Sequence, residues 1–562
     1  MLILTAIAYL LTGSVLLCQG QDVRPIISSP SGEIQGTTES CGIFCTYYSF
    51  KGIPYAVTPV GNLRFRNPVP HPGWSGVRDG SQHRSICVQL ETFTLSVTGD
   101  EDCLYLNVYS QQLVGSRPVM VYFHGGAFSA GSGHSDVADP KKLVQEDVVV
   151  VTVNYRLGVL GFLSTGDQHA QGNWGLKDCV EALRWVQRNI AAFGGNPNDV
   201  TIFGNSAGGS LVHFLYLSAL ADGLFHKTIA ISGVALATYA FQTNPKFYAD
   251  RLAQAFGFSS DSAVYVNQLR TVPAGDFIAF QELLFTIPIP RFLRPLDFAP
   301  VLEPVNSPEP RALTATPLQL MNTRPNRGPL MFGFNDMEGS MFTVLELLVD
   351  STVWDRFNAE PHLLVPFFWN IPQGTSAAAS VIDSFRQGYF NGQPLGPAVD
   401  IEWAQYYGDH IFSFPIDETV RIHAGRALGS PVYFYQLAYD GDLNLVKKSF
   451  GITHPGAIHA DELPYIFDQT ELFNADISPN SHALIVSQRV VRLLANFAKY
   501  GNPTPSADPL LQNTIWPNVA SGSGNTPIMN IGENLVVSDA SAVTRVGLWR
   551  DLQTRYASNP FA

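Results

Sequence analysis

The stretch VTIFGNSAGGSLVHFLYLSAL, residues 200–220, decides the fold. VTIF at 200–203 reads as a short strand buried on both faces. SLVHFLYLSAL at 210–220 has helical length and an apolar face. Between them stand Gly204, Asn205, Ser206, Ala207 and Gly208. On so sharp a strand–turn–helix a side chain is crowded, and Gly204 and Gly208 remove the Cβ atoms that would collide with strand and helix. Ser206 Oγ is then exposed at a helix N-terminus, whose free amides and dipole favour negative charge. A glycine-rich turn without chemistry is the bland alternative. The strand before and the helix after favour a reactive serine.

A serine needs a base, an orienting acid and donors for the developing oxyanion. VMVYFHGGAF, 119–128, runs a strand into a glycine pair. The amides of Gly126, Ala127 and Ala207 are candidates to converge on one oxygen, while His124 is expected to be structural. In an α/β-hydrolase the partners follow in the order serine, acid, histidine. LMFGFNDMEGSMF, 330–342, ends a strand in a turn with both Asp336 and Glu338. GAIHADELPYIF, 456–467, offers His459, and His454 lies five residues earlier. Position alone does not choose within either pair.

Further apolar runs at 118–123, 148–153, 228–232, 330–334 and 432–437 read as buried strands, with helical patterns at 174–193 and 206–218. Strand–helix alternation implies an α/β fold with a central, mostly parallel sheet. Parts of 240–330 and 340–430 lack the rhythm and read as insertions that cover the sheet edge. A chain of 562 residues would ordinarily divide into three or four domains. No linker, charge block or repeat divides it, so 21–562 is expected to be one domain.

Residues 1–20, MLILTAIAYLLTGSVLLCQG, read as a signal peptide without a basic n-region, and a retained membrane anchor is the other reading. No later stretch is apolar enough to span a bilayer. The formal net charge of -13 argues against nucleic acid and anionic membrane surfaces. Five cysteines follow the leader: Cys41, Cys45, Cys87, Cys103 and Cys179. An oxidising compartment favours pairing, and an odd count leaves one free. Cys179 sits at helical spacing with Leu176, Val180 and Leu183, which suits a buried thiol. A cysteine-rich zinc site lacks a second ligand pair.

These blocks together resemble the type-B carboxylesterase/cholinesterase family. The resemblance runs along nearly the whole mature chain. It is carried by FKGIPYAVTPVGNLRFRNP, EDCLYLNVY, HGGAF, NYRLGVLGFLS, GNWGLKD, NIAAFGGNPNDVTIFGNSAGG, ISG, FNDMEGSMF and GAIHADELPYIF. It implies an α/β-hydrolase fold with large helical and loop insertions over the active-site gorge. It implies Ser206 as nucleophile, Glu338 rather than Asp336 as acid, and His459 rather than His454 as base. The oxyanion amides would be those of Gly126, Ala127 and Ala207, with Ser232 as a supporting hydroxyl. It further implies ion pairs Arg64–Glu101 and Arg156–Asp178 and a Cys87–Cys103 bridge. Cys41–Cys45 would then be the second bridge.

Two departures bear on substrate. The residue before the nucleophile, usually Glu in this family, is Asn205. The loop VQLETFTLSVTGDED, 88–102, is short and has no Trp, whereas cholinesterases carry a choline-binding Trp there. Juvenile hormone esterases share an amide before the serine, but theirs is Gln, and they have Gln where this chain has Cys179. Neither specialised subfamily is supported. The expectation is a secreted serine carboxylesterase for neutral, lipophilic esters, with no metal or organic cofactor, a small-molecule ester as its partner, and an oligomeric state left open. A family member that has given up catalysis for adhesion or binding is the rival class, and a hormone or pheromone esterase is a variant of the first.

Overall fold

The computed structural model describes residues 24–42, 44–91, 96–283, 293–426, 429–519 and 526–557. The expected leader lies outside the described residues. Eleven strands form one sheet: β1 (Thr37–Gly42), β2 (Cys45–Pro54), β3 (Tyr105–Ser110), β4 (Arg117–Phe123), β5 (Val149–Val153), β6 (Gly195–Asn205), β7 (Lys227–Ile231), β8 (Leu330–Asn335), β9 (Val432–Leu437), β10 (Pro527–Ile531) and β11 (Leu535–Asp539). Their spatial order is β11-β10-β9-β8-β7-β6-β4-β5-β3-β2-β1. The run from β5 through β4 and β6 to β10 is parallel, and antiparallel strands flank it on both sides. Each apolar run singled out in the sequence is one of these strands.

Successive side chains feed two cores, one on each face, as the period of a strand demands. Ile202, Ala230, Phe332 and Phe434 join the larger core. Phe203, Ile229, Met331 and Tyr433 join the other. That double burial is why the strands read as unbroken apolar runs rather than alternating ones.

The helices that matter to the site are α1 (Trp174–Asn189), α2 (Ala207–Leu217), α3 (Gly339–Val349), α4 (Asp400–Gly408), α5 (Phe414–Arg426) and α6 (His482–Tyr500). Every residue of α2 is buried, which accounts for a helix apolar on all sides. In α1, Arg184 and Arg188 face out and Cys179 is fully buried. Burial raises its thiol pKa well above the ordinary value. Among the described residues Cys179 is the free cysteine, and Cys41–Cys45 and Cys87–Cys103 are bonded. The edges of the sheet are β1 and β11, and rings from the segment 340–430 pack at the site.

Candidate active site

Ser206 stands between β6 and α2 with φ 57° and ψ -126°. Such a backbone costs a non-glycine residue roughly 1–3 kcal/mol and persists only where its surroundings enforce it. Here they do. Ser206 N–H donates to Ile231 O at 2.8 Å, tying the turn to β7. A Cβ on Gly208 would lie 2.0 Å from Phe123 O, and one on Gly204 would lie 2.5 Å from the same oxygen. Any other residue at either position would push β4 away from the turn.

Ser206 Oγ is 2.9 Å from His459 Nε2, and His459 Nδ1 is 2.5 Å from Glu338 Oε2. A carboxylate only accepts, so Nδ1 carries the proton and Nε2 accepts from Ser206. Glu338 Oε1 accepts from Ser232 Oγ at 2.5 Å and from Asn335 N–H at 2.7 Å. Three donors therefore fix one carboxylate. The acid turn and the histidine bend are joined directly: Met337 N–H donates to Ala457 O at 2.9 Å, and Asn335 Nδ2 donates to Ile458 O at 2.7 Å.

The near-duplicates take other places. Asp336 Oδ1 accepts from Ala457 N–H at 2.7 Å and so braces the histidine bend from behind. Burial pushes its pKa up to about 7. His454 lies within hydrogen-bond distance of Ser340 Oγ (3.0 Å) and Asp400 Oδ2 (3.2 Å). His124 stacks on Tyr155 at 4.4 Å, and burial lowers its pKa to about 4.

The glycine loop after β4 turns through left-handed backbone at Gly126, Ala127 and Phe128. The N–H groups of Gly126, Ala127 and Ala207 donate to no other described residue. Both ion pairs form. Arg156 holds Asp178 through two bonds of 2.7 Å. Arg64 grips Glu101 and also donates to three carbonyls at 269–272.

Four residues at the site escaped the sequence reading. Phe342 and Phe412 pack on the His459 ring at 5.0 and 4.6 Å. Tyr239 packs on Phe412 at 5.9 Å, and its hydroxyl meets Ser210 Oγ at 3.1 Å. Glu462, fully buried, accepts from Asn335 Nδ2 at 2.6 Å. Burial, then the charge of Glu338, pushes its pKa up to about 7. Phe342 lies one helical turn after Glu338 and Glu462 three residues after His459, so proximity in sequence could have flagged both. Phe412 lies in an irregular insertion and left no signal.

The family model described as the carboxylesterase family matches residues 23–549. The chain belongs to the carboxylesterase family. With its named relatives among the ester hydrolases, it is a serine hydrolase of carboxylic esters. A juvenile hormone esterase of Heliothis virescens is 31% identical, over 91% of this chain and 92% of its own. An acylcarnitine hydrolase of Mus musculus is 33% identical, over 89% of this chain and 87% of its own. The crystal structure of juvenile hormone esterase from Manduca sexta, with OTFP covalently attached, matches with a TM-score of 0.82 at 28% identity, covering 94% of this chain and all of that one. Relatives with different named substrates stand at nearly equal identity, so identity does not choose among substrates.

Proposed function

We propose that Ser206, His459 and Glu338 are the catalytic residues of a secreted carboxylesterase acting on neutral, lipophilic esters. The observation that carries the reading is the continuous hydrogen-bonded path from Ser206 Oγ through His459 to Glu338. Ser206 Oγ attacks the ester carbonyl as Nε2 takes its proton, and the imidazolium then protonates the departing alcohol. Glu338 holds the tautomer that leaves Nε2 free and stabilises the imidazolium. The free amides of Gly126, Ala127 and Ala207 receive the oxyanion, each worth about 3 kcal/mol in the transition state. Water then cleaves the acyl-enzyme by the same proton path in reverse.

Neutral substrates fit Asn205, which puts no charge beside the nucleophile. Secretion fits the apolar leader at 1–20 and the two disulfides. No described helix is long and apolar enough to cross a membrane. A single catalytic domain over 21–562 fits a sheet whose strands run from Thr37 to Asp539. An organophosphate should label Ser206 with one equivalent. Ser206→Ala should abolish ester hydrolysis while the circular dichroism spectrum and melting profile persist. Labelling of a different serine, with turnover surviving the substitution, would remove the assignment.

A further inference from the structure

A cleft of about 340 Å³ lies beside the acid turn. Small-molecule sites run from roughly 300 to 1,000 Å³, so it is large enough to hold a ligand. Met337 and Glu338 form part of its wall, but Ser206, His459 and the residues of the three free amides do not. Polar side chains near the ends of β9 and β10 form another part. Gln436 interrupts the apolar run of β9 and is 4% exposed. Its Oε1 accepts from Asn530 Nδ2 at 3.4 Å. Its Nε2 has no hydrogen-bond partner among the described residues, yet it is not one of the buried polar atoms sealed from solvent. Gln436 and Asn530 both line the cleft, which is where solvent reaches that nitrogen. From α4 comes Gln405, whose side chain makes no hydrogen bond among the described residues. A donor left open in so enclosed a residue as Gln436 calls for an acceptor.

The carboxylates around the cleft are held by donors of the chain itself. Glu338 has three, Asp336 takes the Ala457 amide, and Asp409 accepts from the hydroxyls of Tyr389, at 2.6 Å, and Ser413. They have little left to offer a cation, and they oppose an anion. Arg545 also lines the cleft; it lies 5.2 Å over the Tyr389 ring, forms no salt bridge among the described residues and would repel a cation. What remains open is a set of side-chain amides, each able to donate and to accept. Neighbouring hydroxyls on one ligand do both as well. We propose that this cleft is a second binding site, separate from the ester site, for a neutral polyhydroxylated molecule the size of one sugar ring. Nothing in it depends on Ser206, so its failure leaves the catalytic reading untouched.

Saturation-transfer NMR on the full chain tests it, with methyl α-D-glucopyranoside as the probe. The method reads direct contact, so the general stabilisation that excluded sugars confer on proteins does not enter. Saturable binding should appear with a Kd on the order of 1 mM, ordinary for a ligand of this size. Gln405→Trp fills the cleft and should weaken binding by about tenfold. Gln405→Ala removes one amide and should weaken it by about fivefold. Both variants should keep ester hydrolysis within about twofold of wild type, because the Gln405 side chain has no bonds within the chain to lose. Glucuronate and glucosamine should each bind about fivefold more weakly than the neutral glycoside. Blocking the ester site with an organophosphate should leave the affinity for the glycoside unchanged. No saturable signal in the wild type means a cleft that holds only water, and overturns the proposal. Equal affinity in the wild type and both Gln405 variants, or loss of binding under the organophosphate, overturns it as well, since the sugar then sits elsewhere. A charged analogue that binds more tightly than the neutral one overturns the chemical class. Should Gln405→Trp fail to fold, Gln405→Ala decides alone.

Discussion

Asp336 and Glu338 are two residues apart on one turn, yet only Glu338 reaches the imidazole; Asp336 is committed to the Ala457 amide. Glu338→Gln and His459→Ala should each cut kcat by several orders of magnitude, and Asp336→Asn and His454→Ala should each cost far less. Steady-state kinetics on the four variants check this, and an inverted order within either pair would reassign the role. Glu462 has a different effect. Its pKa rises from the ordinary 4.5 to about 7 in the folded protein. Between those values the folded chain holds more protons than the unfolded one, so this group's stability is full below pH 4.5 and lost as pH rises through about 7. Glu462→Gln keeps an acceptor for Asn335 and cannot ionise. Relative to wild type it should gain stability between pH 4.5 and pH 8, by as much as about 3 kcal/mol. Denaturant unfolding at the two pH values measures the difference, and equal shifts at both would contradict it.

The turns and loops differ in how far sequence reveals them. The serine turn was legible because its glycines are forced by contacts below 3 Å to the β4 backbone, and a requirement that strict leaves a pattern. The acid and histidine turns were legible only with the family in view, because Asp336 and Glu338 are chemically alike and only the hydrogen bonds tell them apart. Phe412 was not legible at all. It sits in a π-helical turn, Asp409–Ser413, between α4 and α5, and such insertions re-aim a side chain without any periodic signature. The Cys87–Cys103 loop bears a prediction of its own. Its sequence separation is 16, and closing a loop of about that size stabilises by about 3 kcal/mol in the chain-entropy model. Replacing both cysteines by serine should lower unfolding stability by that order, measured without reductant. The same change at Cys41 and Cys45, whose sequence separation is 4, should cost less.

For the molecule as a whole, the α/β class and the six central strands β4 to β9 came from apolar runs, since strands buried on both faces need few polar residues, whereas the five outer strands gave no such run. The path of 340–430 did not, because a chain that packs over strand ends follows the shape of a cavity and has no repeat to read. The site is assembled across the whole sheet. Ser206 and His459 are 253 residues apart, and His459 and Glu338 are 121 apart. Contacts so distant form only after the chain has surrendered most of its freedom. A growing polypeptide carries Ser206 long before His459 exists, and β10 and β11 come later still. On the proposed assignment, hydrolytic power is therefore a property of the finished molecule, and a chain cut short anywhere before residue 459 would leave the serine without its proposed base.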